Sequence, residues 1–244
     1  MRTGEHMRHL RPETTLFYDV DTQRDFMLPG GALYVPNAER ILSTLALLTH
    51  LARDLRIGIV ASVDRHFPQD AELRRNGGEF RDHCMDATEG QRKVSQTAPQ
   101  NPFFIENHAL TEDQLRRALL HRGELIIEKQ DFDVFVGNCN TTRLLSTLAK
   151  DYSDIVVYGV CTDICVDQAV SGLLRLGPKI TVVTDAIAEL DAERGREARH
   201  RWREDGADLI DYSTLSVRLG RDTTQPRSAP REQRTRFLKF SVRR

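Results

Sequence analysis

The sequence predicts an α/β protein: an open, mostly parallel six-stranded sheet with helices on both faces, a three-layer arrangement. Three observations predict it. Short runs rich in β-branched and aromatic residues recur along the chain. Each run is nearly continuous in apolar character rather than alternating, as strands buried on both faces are. Segments with helical spacing of apolar residues fall between the runs, and strand–helix alternation is the signature of a parallel sheet.

The first run is "TTLFYDV" (14–20), followed by a helical segment near 36–54 and then "IGIVASV" (57–63). From Asp64 to about Thr111 the chain is polar, with Gly77-Gly78, several prolines and no strong period. Connections of that length in compact domains are usually functional or disordered. A helix near 111–121 precedes "ELIIE" (124–128), and another near 140–150 precedes "DIVVYGV" (154–160). The second of these starts at Asn140-Thr141-Thr142, with Leu144, Leu145 and Leu148 as its apolar face. Helices near 164–176 and 190–205 separate "KITVVTD" (179–185) and "DLIDY" (208–212). The expected organisation is an N-terminal extension (1–13), one domain (14–218) and a basic tail (219–244). The tail reads as solvated chain, and "FLKFSV" within it is an alternative edge strand or subunit contact.

Composition narrows the function. The 244 residues are enough for a large core without stapling. Lysine plus arginine number 35 against 36 acidic residues, which argues against a nucleic-acid partner held by bulk charge. Four unevenly spaced cysteines do not resemble a secreted disulfide framework. "MRTGEHMRHLRPETT" has no apolar signal region, and no stretch is long enough to span a membrane. The expectation is a cytoplasmic protein with reduced thiols.

Open α/β sheets bind ligands at the carboxyl ends of their strands, and four expected strands end in reactive residues. The first delivers Asp19 and Asp21, the second Asp64 and His66, the third Lys129, and the fourth Cys161 and Cys165. Cys165 falls at a helix start, where the macrodipole favours thiolate, and Lys129 from the neighbouring strand is expected to lower its pKa further. An aspartate of the first strand then serves as proton acceptor and donor, and free N–H groups of the turn bind an oxyanion. Either cysteine, and either aspartate, fits this reading.

Five segments carry a resemblance. "DTQRDFMLPGGAL", "VDRHF", "FRDHCMDATEGQ", "EKQDFDVF" and "GVCTDICV" follow in the order found in the isochorismatase-like cysteine hydrolases, whose nicotinamidase/pyrazinamidase branch they resemble. The resemblance implies a Rossmann-like fold and an Asp–Lys–Cys triad. Cys165 takes the nucleophile's position because it follows Thr-Asp-x. Cys161 takes a small-residue position, with a cis peptide before it and its N–H in the oxyanion hole with that of Cys165. Lys129 is the lysine. Gln23, Asp25 and Phe26 set the register on Asp21, leaving Asp19 a structural residue.

The resemblance further implies a divalent metal, Zn, Fe or Mn, on Asp64, His66 and His83, with Glu72, Asp70 or Glu79 available as a further ligand. Cys84 is not expected to bind it. Phe26, Phe80 and Phe135 match pocket-lining positions. The implied substrate is a small carboxamide whose pyridine nitrogen meets the metal, and the implied assembly a homo-oligomer. The alternatives are a ureide or N-carbamoyl amidohydrolase of the same family, or a non-catalytic binding protein. Three places depart from the family pattern: "DFDVF" replaces Ser-Ala-Phe after the lysine, Arg81-Asp82 replaces a proline pair, and "DATEG" replaces Gly-Thr-x-Gly.

Overall fold

A computed structural model describes residues 8–221. In chain order its elements are β1 (Thr15–Val20), α1 (Arg24–Met27), α2 (Leu42–Leu55), β2 (Gly58–Asp64), β3 (Phe103–Ile105), α3 (Glu112–Leu120), β4 (Leu125–Lys129) and α4 (Val134–Gly137). They continue with α5 (Thr141–Leu148), β5 (Asp154–Val160), α6 (Cys165–Leu174), β6 (Lys179–Ala188), α7 (Ala192–Glu204), β7 (Asp208–Ile210) and α8 (Tyr212–Arg218). The strands form one sheet of order β3-β4-β2-β1-β5-β6-β7, and every pairing is parallel.

The expected class holds, with one correction: the sheet has seven strands, not six. The added strand, β3, lies inside the stretch read as polar connection. It is three residues long and sits at the sheet edge beside β4, with Ile105 buried and Phe104 half exposed. A segment that short and half solvated carries no usable period. The short helices α1, α4 and α8 escape for the same reason. "FLKFSV" lies outside the described residues.

Helix starts follow local chemistry. Thr111 and Gln114 form a reciprocal capping box at α3, and the Asp191 and Asp211 carboxylates accept from first-turn N–H groups of α7 and α8. Asn140 is the residue before α5 but does not cap it. Its side-chain oxygen accepts from Leu110 N–H at 3.0 Å and its amide donates to the His108 carbonyl at 2.8 Å, tying the preceding connection down. α2 and α8 pack together over β2 and β6, while α3, α5, α4, α6 and α7 form a continuous row. At the amino end, Leu10 is buried and its N–H donates to the Arg218 carbonyl at 2.8 Å. No helix among the described residues is long and apolar enough to cross a membrane.

The chain lays β2, β4 and β3 on one side of β1, then returns to place β5 on the other. That reversal opens a crevice between the carboxyl ends of β1 and β5. Gly159 makes the approach possible: at φ +124°, an added Cβ would lie 2.0 Å from the Val20 carbonyl oxygen. The pairing of β5 with β6 also breaks register between Val157 and Gly159. Gly159→Ala therefore combines backbone strain with a clash against backbone that has no freedom to yield. The expected result is loss of soluble, folded protein, read as absence of a cooperative thermal transition.

Candidate active site

Asp21 follows β1 with φ +48°, so the chain turns sharply at this residue. Its N–H donates to the Ser62 carbonyl at 3.2 Å, and Ser62 Oγ donates to Asp21 Oδ1 at 2.7 Å. Lys129, the last residue of β4, places Nζ 3.1 Å from Asp21 Oδ2 but outside hydrogen-bonding geometry, which leaves that oxygen open. The same ammonium donates to Asp64 Oδ1 and lies 3.9 Å from Cys165 Sγ. Lys129 is not delivered from beside β5 as expected. β2 and β1 lie between, and the long, wholly buried side chain reaches across the strand ends.

Asp19 goes elsewhere. Its Oδ2 is 3.1 Å from Lys93 Nζ, and its Oδ1 accepts from Thr22 Oγ1 at 2.9 Å.

Cys165 is the first residue of α6, and the Val160–Cys161 peptide is cis. Around the turn, Thr162 N–H donates to the Ala188 carbonyl, while Ile164 and Val166 N–H both donate to the Cys161 carbonyl. The N–H groups of Cys161 and Cys165 have no acceptor among the described residues. Two backbone donors at this turn, one of them Cys165's own, are thus unpaired among the described residues.

One expectation is corrected. The Cys165 thiol is pushed well above its usual range, by burial first; Lys129 acts the other way, and Asp21 and Asp64 oppose it. A helix start and one ammonium do not outweigh desolvation when two carboxylates share that ammonium. The resting sulfur is a thiol and needs a base. Asp21 suits that role, because burial raises its proton affinity, Lys129 lowers it and Asp64 raises it again. Burial also works against the Lys129 charge, but Asp21 and Asp64 together keep it an ammonium.

A second cluster adjoins the first through Asp64, at the end of β2. His66 Nε2 and His83 Nε2 lie 3.8 and 3.4 Å from Asp64 Oδ2, and 3.7 and 3.5 Å from Glu72 Oε1. The opposite ring nitrogens are occupied: His66 Nδ1 is 3.1 Å from Asp70 Oδ2, and His83 Nδ1 is 2.7 Å from the Arg81 carbonyl. With Nδ1–H donated outward, both Nε2 lone pairs turn inward.

Four potential ligand atoms, one each from Asp64, His66, Glu72 and His83, lie within 4.8 Å of one another. His66 Nε2 and Glu72 Oε2 are buried without a hydrogen-bond partner. Donors sharing a tetrahedral ion with bonds of 2.0–2.1 Å stand about 3.3 Å apart. The observed spacings are too long for good hydrogen bonds and close to that value, so the residues fit a divalent cation taking nitrogen and oxygen. Among the three carboxylates left open by the sequence, Glu72 faces the cluster, Asp70 braces His66, and Glu79 is exposed.

Burial disfavours charge on His83, but the Asp64 and Glu72 carboxylates facing its Nε2 outweigh it and push the imidazole up to about 10. A cation must displace that proton. Metal affinity should therefore rise with pH from 6 toward 10, by up to about tenfold per unit. Zinc titration against a competing chelator at several pH values checks the sign; affinity flat across pH 6–9 would contradict it.

Phe26 and Phe80 pack their rings 5.4 and 6.1 Å from the His83 ring, walling the cluster. Phe135 instead packs against α6 at Gly172, where an added Cβ would lie 1.9 Å from its ring, two turns along from Cys165. Two further residues brace the site. Gln23 Oε1 accepts from Asp64 N–H, and its amide donates to the Asp64 and Gln91 carbonyls, all at 2.7 Å. Asp25 Oδ2 accepts from Cys84 N–H at 2.7 Å, holding the residue next to His83. In the sequence both served only as register marks; a buried amide and carboxylate flanking a reactive aspartate were the available signal.

The Isochorismatase domain matches residues 16–213. The chain belongs to the isochorismatase family. Within it, the nicotinamidase of Escherichia coli (strain K12) is 23% identical over 214 residues, 81% of this chain and 93% of the relative. The zinc complex of Pyrococcus horikoshii pyrazinamidase superposes with TM-score 0.64 at 23% identity, covering 82% of this chain and 99% of that one. PnC1 from L. infantum, in complex with nicotinate, gives 0.66 at 20% identity, covering 83% and 95%. At these identities the two superpositions speak to the fold, which this isochorismatase-family chain shares.

Proposed function

We propose that this isochorismatase-family hydrolase is a metal-containing cysteine amidohydrolase acting on a small carboxamide, in the manner of a nicotinamidase. The observation that carries the reading is the Lys129 ammonium, which lies against Asp21 and Cys165 at once, with the N–H groups of Cys161 and Cys165 unpaired at the same turn.

Asp21 Oδ2 takes the Cys165 proton as Sγ bonds to the carbonyl carbon, and Lys129 holds the carboxylate in place. The N–H groups of Cys161 and Cys165 receive the oxyanion. Asp21 returns the proton to the amide nitrogen, the C–N bond breaks and ammonia leaves a thioester on Cys165. Water then gives a proton to Asp21 as its oxygen attacks the thioester. The acid departs and the proton returns to sulfur. Asp64, His66, Glu72 and His83 would hold a divalent cation, which when bound supplies a Lewis-acid anchor for an electron-pair donor such as a pyridine nitrogen.

The departure after Lys129 leaves this reading in place. Asp131 Oδ1 accepts from Asp133 N–H, and Asp133 Oδ1 accepts from Phe135 N–H, both at 2.8 Å. These oxygens are spent on the turn that starts α4.

The test is ammonia release from nicotinamide, pyrazinamide, biuret and N-carbamoyl amino acids, with metal analysis of the same sample. Turnover of the two aromatic amides with one bound ion per chain is expected. Turnover confined to biuret or N-carbamoyl substrates would replace the carboxamide reading with the ureide one. A parent enzyme whose activity on any of them survives Cys165→Ala would end both.

A further inference from the structure

We infer that Ser62 is a positioning residue for this reaction: its hydroxyl fixes the Asp21 carboxylate so that Oδ2, not Oδ1, exchanges the proton with Cys165. The inference rests on the reading of Asp21 as the base. Ser62 lies in β2 directly across from Val20, the last residue of β1. Its side chain is completely buried within the apolar run Gly58–Val63. A hydroxyl in such a strand is destabilising unless it is hydrogen-bonded, and its partner here is Asp21 Oδ1 at 2.7 Å.

One residue therefore grips Asp21 at both ends, the carbonyl taking its N–H and the hydroxyl its Oδ1. A carboxylate torsion is broad and two-fold, so without this bond the two oxygens would interchange. A hydroxyl has one proton to give. Spending it on Oδ1 leaves Oδ2 beside the ammonium with an open lone pair. The titratable groups facing Asp21 are Tyr18 on its own strand, Asp64 on β2, Lys129 on β4, Cys165 on α6, Cys161 at the turn before it and Cys84 in the long connection. Substitution of Ser62 leaves every one of these groups in place and, besides the bond to Asp21, removes only its contact with the Tyr18 hydroxyl.

The experiment needs no substrate. The full-length chain, as purified, is treated with iodoacetamide between pH 5 and 9, and Cys165 modification is followed by peptide mass mapping, with exposed Cys139 as internal reference. Ser62→Ala is expected to slow Cys165 alkylation roughly tenfold at neutral pH, the size of a lost hydrogen bond to a charged group. It is also expected to move the acid limb upward, since a carboxylate that loses a donor keeps its proton to higher pH. Ser62→Thr should restore the rate to within about threefold. Ser62→Cys, close in volume but a weak donor, should behave like Ser62→Ala, and mapping separates its added thiol.

A packing defect alone would lower the rate equally at every pH and leave the limb in place; that result overturns the inference. So do parental rates in Ser62→Ala and Ser62→Cys when Asp21→Asn is slowed at least about a hundredfold, an outcome that leaves the base reading standing. Parental alkylation in Asp21→Asn removes the base reading, and the inference with it.

Discussion

Cys165→Ala is expected to lower kcat/KM by at least about 10⁴-fold, while Cys161→Ala stays within about fivefold of the parent. The two cysteines are four residues apart in sequence and both buried, so exposure does not separate them. Position does. Cys165 Sγ is the sulfur 3.9 Å from Lys129 Nζ. On the proposed mechanism, removing it takes away the atom that bonds to carbon, and alanine offers no nucleophile in its place. Cys161 contributes its N–H and its carbonyl, which accepts from Ile164 and Val166 and so shapes the turn. Alanine keeps both groups. Initial rates on one amide, with thermal midpoints as a folding control, separate the variants; equal large losses would mean that the Cys161 sulfur takes part in the chemistry.

The legible part of this protein was its periodicity and its strand ends. Buried parallel strands announce themselves by uninterrupted apolar runs, and the ends of those runs bring Asp64, Lys129, an aspartate and a cysteine to one edge; the choice of Asp21 over Asp19 and of Cys165 over Cys161 came from the family resemblance. What depends on the third dimension was not legible. Asp19 and Asp21 share a strand-face spacing, but the chain turns at Asp21, φ +48°, and Asp19 meets Lys93 while Asp21 meets Lys129. Proton affinity at Cys165 could not be read either. The sequence reports neighbouring charges but not desolvation, and desolvation is the larger effect. The irregular segment after His66 hides its geometry in turns. There Asp70 Oδ2 accepts from Phe67 N–H at 2.8 Å, and Gly77 reverses the chain at φ +93°. An added Cβ at Gly78 would lie 2.1 Å from the Glu72 carbonyl oxygen. Those contacts, with no periodic signature, decide which carboxylate points inward.

That decision makes the second large effect testable as a ranking. Glu72→Gln is expected to weaken zinc binding by at least about a hundredfold, Asp70→Asn by about tenfold, and Glu79→Gln not measurably. Glu72 presents Oε1 to both imidazoles at 3.7 and 3.5 Å and has Oε2 buried without a partner, so it offers a charged donor that an amide replaces poorly. Asp70 touches the cluster only through His66 Nδ1. Its loss frees the ring to rotate and lowers the imidazole's basicity, a weaker effect than loss of a ligand. Glu79 is exposed and serves as the internal control. His66→Ala and His83→Ala should each abolish stoichiometric binding, because each removes one of only two nitrogen donors and leaves three of the four ligand atoms. Chelator competition for affinity and elemental analysis for stoichiometry provide the readouts. An inverted order, with Asp70→Asn costing more than Glu72→Gln, would exchange the roles of the two carboxylates. That exchange would require the 67–72 turn to reverse, because Asp70 cannot reach both imidazoles while its Oδ2 caps Phe67 N–H and braces His66 Nδ1.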